Sequence, residues 1–288
     1  MSMASDEFAC FILTHGRARK QLTLKTLIRQ GYTGSVYLIV DNEDESLDEY
    51  RRLYGEKVIV FDKRAVWKTF DQADNFVDLR TPVYARNACF QIAAELGLDY
   101  FLQLDDDYSR FGYKFDAEFM YVDKTVLNLD RLFATVLAFY KSIPALTVAL
   151  SQTGDFIGGC KGRYARTVML KRKAMNSFFC SVKRPFKFIG RVNEDVNTYV
   201  ALGNRGDLFL TIFQATLWQM RTQLNPGGFT DVYLNEGTYW KSFYPVMYAP
   251  SCVKVSALRQ RHGRIHHKIA WANAVPCIVS EEYRKSGA

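Results

Sequence analysis

Between Phe8 and Phe61 the chain alternates short apolar runs with amphipathic stretches, and this alternation limits the possible folds more than any other feature. Residues 8–13, 36–40 and 58–61 are each compact and apolar enough to be buried strands. A helix is expected after the first, with Leu24, Leu27 and Ile28 on one face and a stop at Gly31. The acidic stretch 43–49 begins a second, shorter helix. Strand, helix, strand, helix, strand implies a parallel sheet covered by helices. Such sheets bind ligands at the carboxyl ends of their strands, where Thr14, His15, Arg17 and Asp41 fall.

Residues 62–81 are polar and aromatic, lack a clear period and read as a loop. Pro82 opens a helix in which Ala85, Ala88, Cys89, Ile92, Ala93 and Leu96 recur at helical spacing before the stop at Gly97. Arg86 and Asn87 lie in its first turn, off that apolar stripe. Further on, the pattern predicts a helix over 129–143 and strands over 145–150, 165–170 and 208–213. Gly158 and Gly159 mark a flexible turn, 225–228 a strong turn, and a helix is expected from Thr230. No repeat or linker interrupts the chain. A single α/β domain over 1–288 is expected, in two halves at about 8–150 and about 151–280.

The apolar run 100–104 leads directly into Asp105-Asp106-Asp107. Three carboxylates at the mouth of a buried strand repel one another, and a nearby positive charge relieves that repulsion. A hard divalent cation, Mg²⁺ or Mn²⁺, is the simplest such charge, and it leaves coordination positions for substrate phosphates. The plainer alternative is a solvated acidic turn.

The net charge of +8 favours an anionic partner. Much of the excess lies in two tracts. One runs from Lys161 through Arg163, Lys183 and Arg184 to Arg191; the other runs from Lys254 through Arg261 and Arg264 to Lys268. Aromatic residues interleave with the first, as in chains whose basic groups meet phosphates while rings stack on bases; a solvated basic face is the alternative. Six cysteines without C-x-x-C spacing read as reduced core residues of a cytoplasmic protein. No apolar stretch approaches the roughly 20 residues of a membrane helix, and no signal peptide or membrane partner is expected. The P-loop, the G-x-G-x-x-G fingerprint and the G-x-S-x-G elbow are all absent from the sequence.

The ordered motifs resemble those of GT-A glycosyltransferases, which have a Rossmann-like mixed sheet flanked by helices. Arg86-Asn87 resembles the Arg-Asn pair upstream of the D-x-D motif, and Asp105-x-Asp107 resembles D-x-D itself. Glu194-Asp195 is similar to the E-D motif that carries the base in inverting members. A late histidine in His266-His267 resembles the third metal ligand. More narrowly, Phe11-Ile12-Leu13-Thr14-His15-Gly16-Arg17, with the late His-His and Trp271, resembles the TET-associated glycosyltransferases. That resemblance spans about Phe8 to Ile278. It implies a phage-type enzyme working in the host cytoplasm, with a nucleotide sugar, a UDP-sugar, as donor and DNA carrying hydroxymethylated bases such as 5-hydroxymethylcytosine as acceptor.

The resemblance assigns Mn²⁺ or Mg²⁺ to Asp107, Asp105 and His267, with either His266 or His267 facing the site. Phosphates fall to Arg86 and Arg17, the base or ribose to Asp41, and ribose hydroxyls to Asp106. Thr14, His15 and Asn87 line the donor site, and Gly158 and Gly159 let backbone approach the sugar. A carboxylate within reach of an acceptor hydroxyl can take its proton as the new bond forms, which assigns the base to Asp195 beside Glu194. Each role has a plainer alternative: a helix cap for Asp195, a surface position for Arg86, a turn for Asp41, and a loop or core position for His15 and for Trp218, Trp240 and Trp271. A glycan or protein acceptor, a nucleotidyltransferase of related fold and a non-catalytic nucleic-acid binder are the competing functions.

Overall fold

The computed structural model describes residues 7–74, 79–152, 168–169, 171–219, 241–258 and 264–275, together with Phe156, Lys161 and Glu281. The first half follows the expected alternation: β1 (Phe8–Leu13), α1 (Leu22–Arg29), β2 (Ser35–Asp41), α2 (Leu47–Tyr54) and β3 (Val58–Phe61). Next come α3 (Lys63–Trp67), α4 (Val83–Glu95), β4 (Tyr100–Asp105), β5 (Tyr108–Phe115), β6 (Tyr121–Thr125), α5 (Leu129–Lys141) and β7 (Thr147–Gln152). The remainder holds β8 (Val168–Met169), β9 (Ser177–Ser181), α6 (Glu194–Gly203), β10 (Phe209–Gln219), α7 (Tyr244–Tyr248), β11 (Val253–Leu258), β12 (Arg264–Ile269) and α8 (Trp271–Ala274).

One mixed sheet runs β3-β2-β1-β4-β9-β7-β10-β5-β6, with β8 pairing beside β10, and β11-β12 form a separate hairpin. Strands β1 to β4 pair parallel, whereas β9 is antiparallel to both β4 and β7. The sheet is therefore mixed and flanked by helices, as the resemblance implies. The expected boundary near residue 150 falls inside β7, so the two halves share one sheet.

β1 shows why an unbroken apolar run was needed. All of its residues are buried, because successive side chains point to opposite faces and helices cover both. Ala9, Phe11 and Leu13 join a core built with α4 and α6, while Phe8, Cys10 and Ile12 join a core built with α1, α2 and α5. The cysteines among the described residues, Cys10, Cys89, Cys180 and Cys252, are free and buried, as read from the sequence; Cys160 and Cys277 lie outside the described residues.

Four expectations are corrected. Ile28 is exposed, because the short α1 turns Thr23, Leu24, Thr26 and Leu27 inward and Ile28 lies about 100° around from Leu27. The segment read as a loop contains α3, whose first turn is capped where Asp62 accepts from the Ala65 amide at 3.0 Å. Arg86 and Asn87 are buried, because every residue from Val83 to Cys89 is covered. The strand expected at 208–213 continues to Gln219, pairing with β7 on both sides of a register shift between Ile212 and Thr216 and with β5 from Ala215 onward. The turn at 225–228, the helix from Thr230 and Trp240 lie outside the described residues. Among those described, no helix is long and apolar enough to cross a membrane.

Gln30 locks the end of α1 to two other elements. Its Nε2 donates to the carbonyls of Phe111 (2.8 Å) and Val126 (2.5 Å), and its Oε1 accepts from the Phe111 amide (2.8 Å). Replacing it with Leu strands the Phe111 amide and the Val126 carbonyl, each worth about 1–3 kcal/mol when left unpaired, while the Phe111 carbonyl keeps the Val126 amide at 3.0 Å. Gln30→Leu is expected to lower unfolding free energy by about 3 kcal/mol, with an unchanged m-value in urea.

Candidate active site

The parallel register brings the polar ends of three strands together. Leu13 pairs with both Ile39 and Asp105, so Thr14, His15, Asp41 and the acidic run share one sheet edge. Thr23 of α1 clasps the acidic turn by its backbone: its Oγ1 donates to the Asp105 carbonyl (2.6 Å) and accepts from the Tyr108 amide (2.9 Å). Its own amide donates to the Asp106 carbonyl at 3.1 Å. The turn is thus held without using the carboxylates.

Those carboxylates occupy three different environments. Asp105 accepts from Arg86 Nη2 at 2.9 Å, and Arg86 Nε donates to Glu194 at 2.9 Å. Arg86 is buried, with its guanidinium over the rings of Phe178 (5.0 Å) and Phe188 (5.9 Å). Burial works against its charge, but Asp105 and Glu194 outweigh it and hold the arginine firmly protonated. Asp106 is also buried; it accepts from Thr14 Oγ1 and from Arg17 Nη1, each at 2.7 Å. Burial raises the Asp106 carboxyl above its ordinary value, with Arg17 and Thr14 opposing. Among the described residues Asp107 meets Gln219 Nε2, at 3.4 Å, and its Oδ1 is buried without a hydrogen-bond partner. Burial first, then the neighbouring Asp105 and Asp106, push its pKa up to about 7.

A second cluster lies at the ends of β1 and β2. His15 Nδ1 hydrogen-bonds Asp41 Oδ2 at 2.7 Å, and Lys63 Nζ pairs with Asp41 Oδ1 at 2.8 Å. Burial alone would raise the Asp41 carboxyl, but hydrogen bonds from His15 and Lys63 outweigh it and hold it low. The bond to Asp41 raises His15 against its partial burial. Half of the His15 side chain remains exposed while Asp41 is covered, so His15 is the group a ligand can reach. Gly16 donates its amide to Asp44 at 2.8 Å, and Tyr50 Oη accepts from the Arg17 amide at 2.9 Å. Sequence reading missed Lys63, Asp44 and Tyr50. Asp41-x-x-Asp44 was the available signal for one of them; the other two are set by tertiary contact.

On the opposite flank, Asn193 takes a left-handed conformation and its Nδ2 donates to the Lys241 carbonyl at 2.6 Å, starting α6 at Glu194. Glu194 turns inward to Arg86, and burial raises its carboxyl with Arg86 opposing. Asp195 is half-buried beside it and accepts from the Val196 amide at 2.8 Å. Arg86 therefore joins the acidic run to the Glu194-Asp195 pair.

Several expected residues stand elsewhere. Asn87 clasps the Phe188 backbone at both ends of its amide, at 2.9 and 2.8 Å. Arg86 is enclosed as a link between carboxylates and does not present a fork to solvent. Lys183 and Arg184 follow β9, which runs antiparallel to β4 and pairs Ser181 with Tyr100. This puts them about 17 Å, five strand steps, from Asp105. Lys183 pairs there with Asp99, and Arg184 donates to the carbonyls of Tyr140, Ile143 and Ala145. Arg191 is buried against Asp74. Arg184 and Arg191 are thus engaged within the fold, whereas Lys183 stays exposed at that far end, away from the acidic run. Arg264 begins β12. Gly158, Gly159, Arg163 and Arg261 lie outside the described residues.

His267 is buried on β12, while His266 is half-buried, because neighbouring strand residues face opposite ways. Its Nε2 lies 3.2 Å from Lys173 Nζ. Burial, then Lys173, His266 and Lys241, lower its pKa to about 2. Among the described residues no three ligating side chains converge, so His267 does not join Asp105 and Asp107 here. The donor set that fits a hard cation is Asp107 with Asp105. Asp107 has an orphaned buried oxygen, whereas both oxygens of Asp106 are taken.

Removing Arg86 leaves Asp105 and buried Glu194 without their counter-charge, which costs about 3–5 kcal/mol in comparable pairs. A buried carboxyl whose pKa is raised by folding stabilises most when protonated and loses that contribution as pH rises through the folded value. Arg86→Met is therefore expected to destabilise more at about pH 8 than at about pH 5, as read by urea unfolding at both.

The family description "TET-Associated Glycosyltransferase" matches residues 8–228. No curated protein matches the chain. Among solved structures, S. aureus TarS 1-349 in complex with UDP-GlcNAc is 10% identical, with TM-score 0.48, covering 85% of this chain and 67% of that one. Glucosyl-3-phosphoglycerate synthase from Mycobacterium tuberculosis, with Mg²⁺ and uridine-diphosphate, is 10% identical with TM-score 0.45, covering 91% and 87%. The mannosyltransferase PcManGT from Pyrobaculum calidifontis, with GDP-Man and Mn²⁺, is 11% identical with TM-score 0.47, covering 85% and 72%. The family match takes in β1, the acidic run and the Glu194-Asp195 pair, and the chain belongs to the TET-associated glycosyltransferases.

Proposed function

We propose that this glycosyltransferase is divalent-metal-dependent and moves a sugar from a UDP-sugar to the hydroxymethyl oxygen of 5-hydroxymethylcytosine in DNA. The observation that carries the reading is the orphaned carboxylate oxygen of Asp107 beside Asp105, tied through Arg86 to the Glu194-Asp195 pair. Family membership and the net charge of +8 support an anionic acceptor. Lys254 and Lys268 add to this: they face each other across the β11-β12 ladder, both exposed, a like-charge pair that an anion relieves.

Held by Asp105 and Asp107, Mn²⁺ or Mg²⁺ would neutralise the charge that builds on the departing diphosphate. The other roles fall to the chain's own groups. Arg17, fixed by Asp106, offers its remaining guanidinium N–H groups to phosphate. His15, fixed by Asp41, presents its outer edge to the nucleotide. Asp195 accepts the proton of the acceptor hydroxyl as that oxygen bonds to the anomeric carbon and the bond to the diphosphate oxygen breaks.

The test is to incubate hydroxymethylated and unmodified DNA with protein, Mn²⁺ and a panel of nucleotide sugars, then measure nucleoside masses. One hexose gained on the modified base alone is expected. Transfer only to glycan or protein, or pyrophosphate release without transfer, overturns the acceptor or the reaction class. Asp107→Asn is expected to weaken Mn²⁺-dependent UDP binding and abolish turnover. Asp195→Asn should bind donor normally and slow transfer by about 10²–10⁴-fold. Wild-type rates in Asp195→Asn, or a product that keeps the donor's anomeric configuration, remove Asp195 as base.

A further inference from the structure

The hydrogen bond at His267 identifies its tautomer. Lys173 approaches Nε2 at 3.2 Å, and an ammonium group has donors only. Nε2 must therefore be the accepting nitrogen, and in a neutral imidazole the proton sits on Nδ1. That N–H is buried, and among the described residues it has no acceptor. A buried donor without a partner is expensive and calls for an explanation.

The surroundings indicate what would satisfy it. Lys173, His266 and Lys241 all bear on the ring as positive or potentially positive neighbours. Each disfavours positive charge on the ring, so a negatively charged acceptor suits the Nδ1–H better than a cation. A metal would also need the Nε2 lone pair that faces Lys173, or a deprotonated Nδ1. The Lys241 carbonyl accepts from Asn193 at the start of α6, which ties the backbone of this cluster to the segment that carries Glu194 and Asp195. The ring is held by the β11-β12 ladder, where His267 pairs with Val255 on the face shared with Val253 and Ile269. Lys254 and Lys268 occupy the opposite face of that hairpin.

We infer that His267 is a phosphate-binding residue, its Nδ1–H donating to a phosphate oxygen beside Lys173, and not a metal ligand. The phosphate belongs either to a nucleoside diphosphate or to a DNA backbone; both present the same oxygen. The inference does not rest on the transfer reaction proposed above, because it concerns binding without metal or turnover.

The test uses the full chain in EDTA, labelled with ¹⁵N at histidine, titrated separately with UDP and with an unmodified DNA duplex. The proton is expected on Nδ1 of His267, and the Nδ1 signal should move on adding at least one of the two. A response to UDP alone assigns the donor phosphate, and a response to DNA alone assigns the acceptor backbone. His267→Ala should weaken that metal-free binding about tenfold or more. His267→Asn, whose amide places a donor where Nδ1 was, should restore most of it. Both variants should keep wild-type Mn²⁺ affinity. A proton on Nε2, no response to either titrant, or loss of Mn²⁺ affinity in both variants overturns the inference. The tautomer reading is made on the unaltered protein, so it stands if His267→Ala fails to fold.

Discussion

The buried guanidinium of Arg86 is the interaction on which the site depends. Alone, such a charge would not survive removal from water. Here it lies between Asp105 and Glu194 and against the rings of Phe178 and Phe188. Those partners come from the end of β4, the start of α6, β9 and the segment between β9 and α6, while Arg86 itself is carried by α4. One cation therefore fixes the spacing between the acidic run and the pair that follows Asn193. The local charge is not balanced by it. Asp105, Asp106, Asp107, Glu194 and Asp195 carry five negative charges when ionised, and Arg86 and Arg17 return two. The acids outnumber the arginines, and Asp107, whose Oδ1 has no partner among the described residues, is the carboxylate that would meet a cation.

The first half of the fold was legible because its central strands are covered on both faces and read as unbroken apolar runs. β1 and β3 fall where the pattern places them, and α4 follows Pro82 as expected. Legibility fell wherever a strand carried polar or aromatic residues. β5 reads Tyr-Ser-Arg-Phe-Gly-Tyr-Lys-Phe, and its strand character comes from pairing with β10 and β6. β9 is short and inserted antiparallel between β4 and β7, an order that periodicity cannot reveal. β11 and β12 set basic residues among apolar ones without a strict alternation, so a charge tract concealed a hairpin.

The site was legible as residue types and less so as roles. Arg86, Asp105, Asp107 and Glu194 could be picked out because their chemistry is unusual beside apolar runs. Which charge neutralises which depends on distances that a sequence does not contain, and so Arg86 turned from a phosphate clamp into an internal link. The basic tract shows the same limit. Lys183 and Arg184 are close in sequence to Arg191 and Glu194, yet the antiparallel course of β9 carries them to the far end of β4. A run of charge in sequence becomes a patch in space only when the strands bearing it return to the same edge.

Burial sorts the carboxylates of this edge into two layers. Asp41 and Asp106 are covered and have their oxygens taken by cations and hydroxyls, so neither is available to a ligand. What they do is orient the groups outside them: Asp41 aims His15, and Asp106 aims Arg17. The alternation along Thr14-His15-Gly16-Arg17 follows, with Thr14 turned in toward Asp106 and Tyr50 while His15 and Arg17 reach outward. Such an inner layer removes the freedom that two long polar side chains would otherwise lose on binding. Two acids that look like ligands in the sequence thus have their oxygens engaged by neighbouring side chains in the fold.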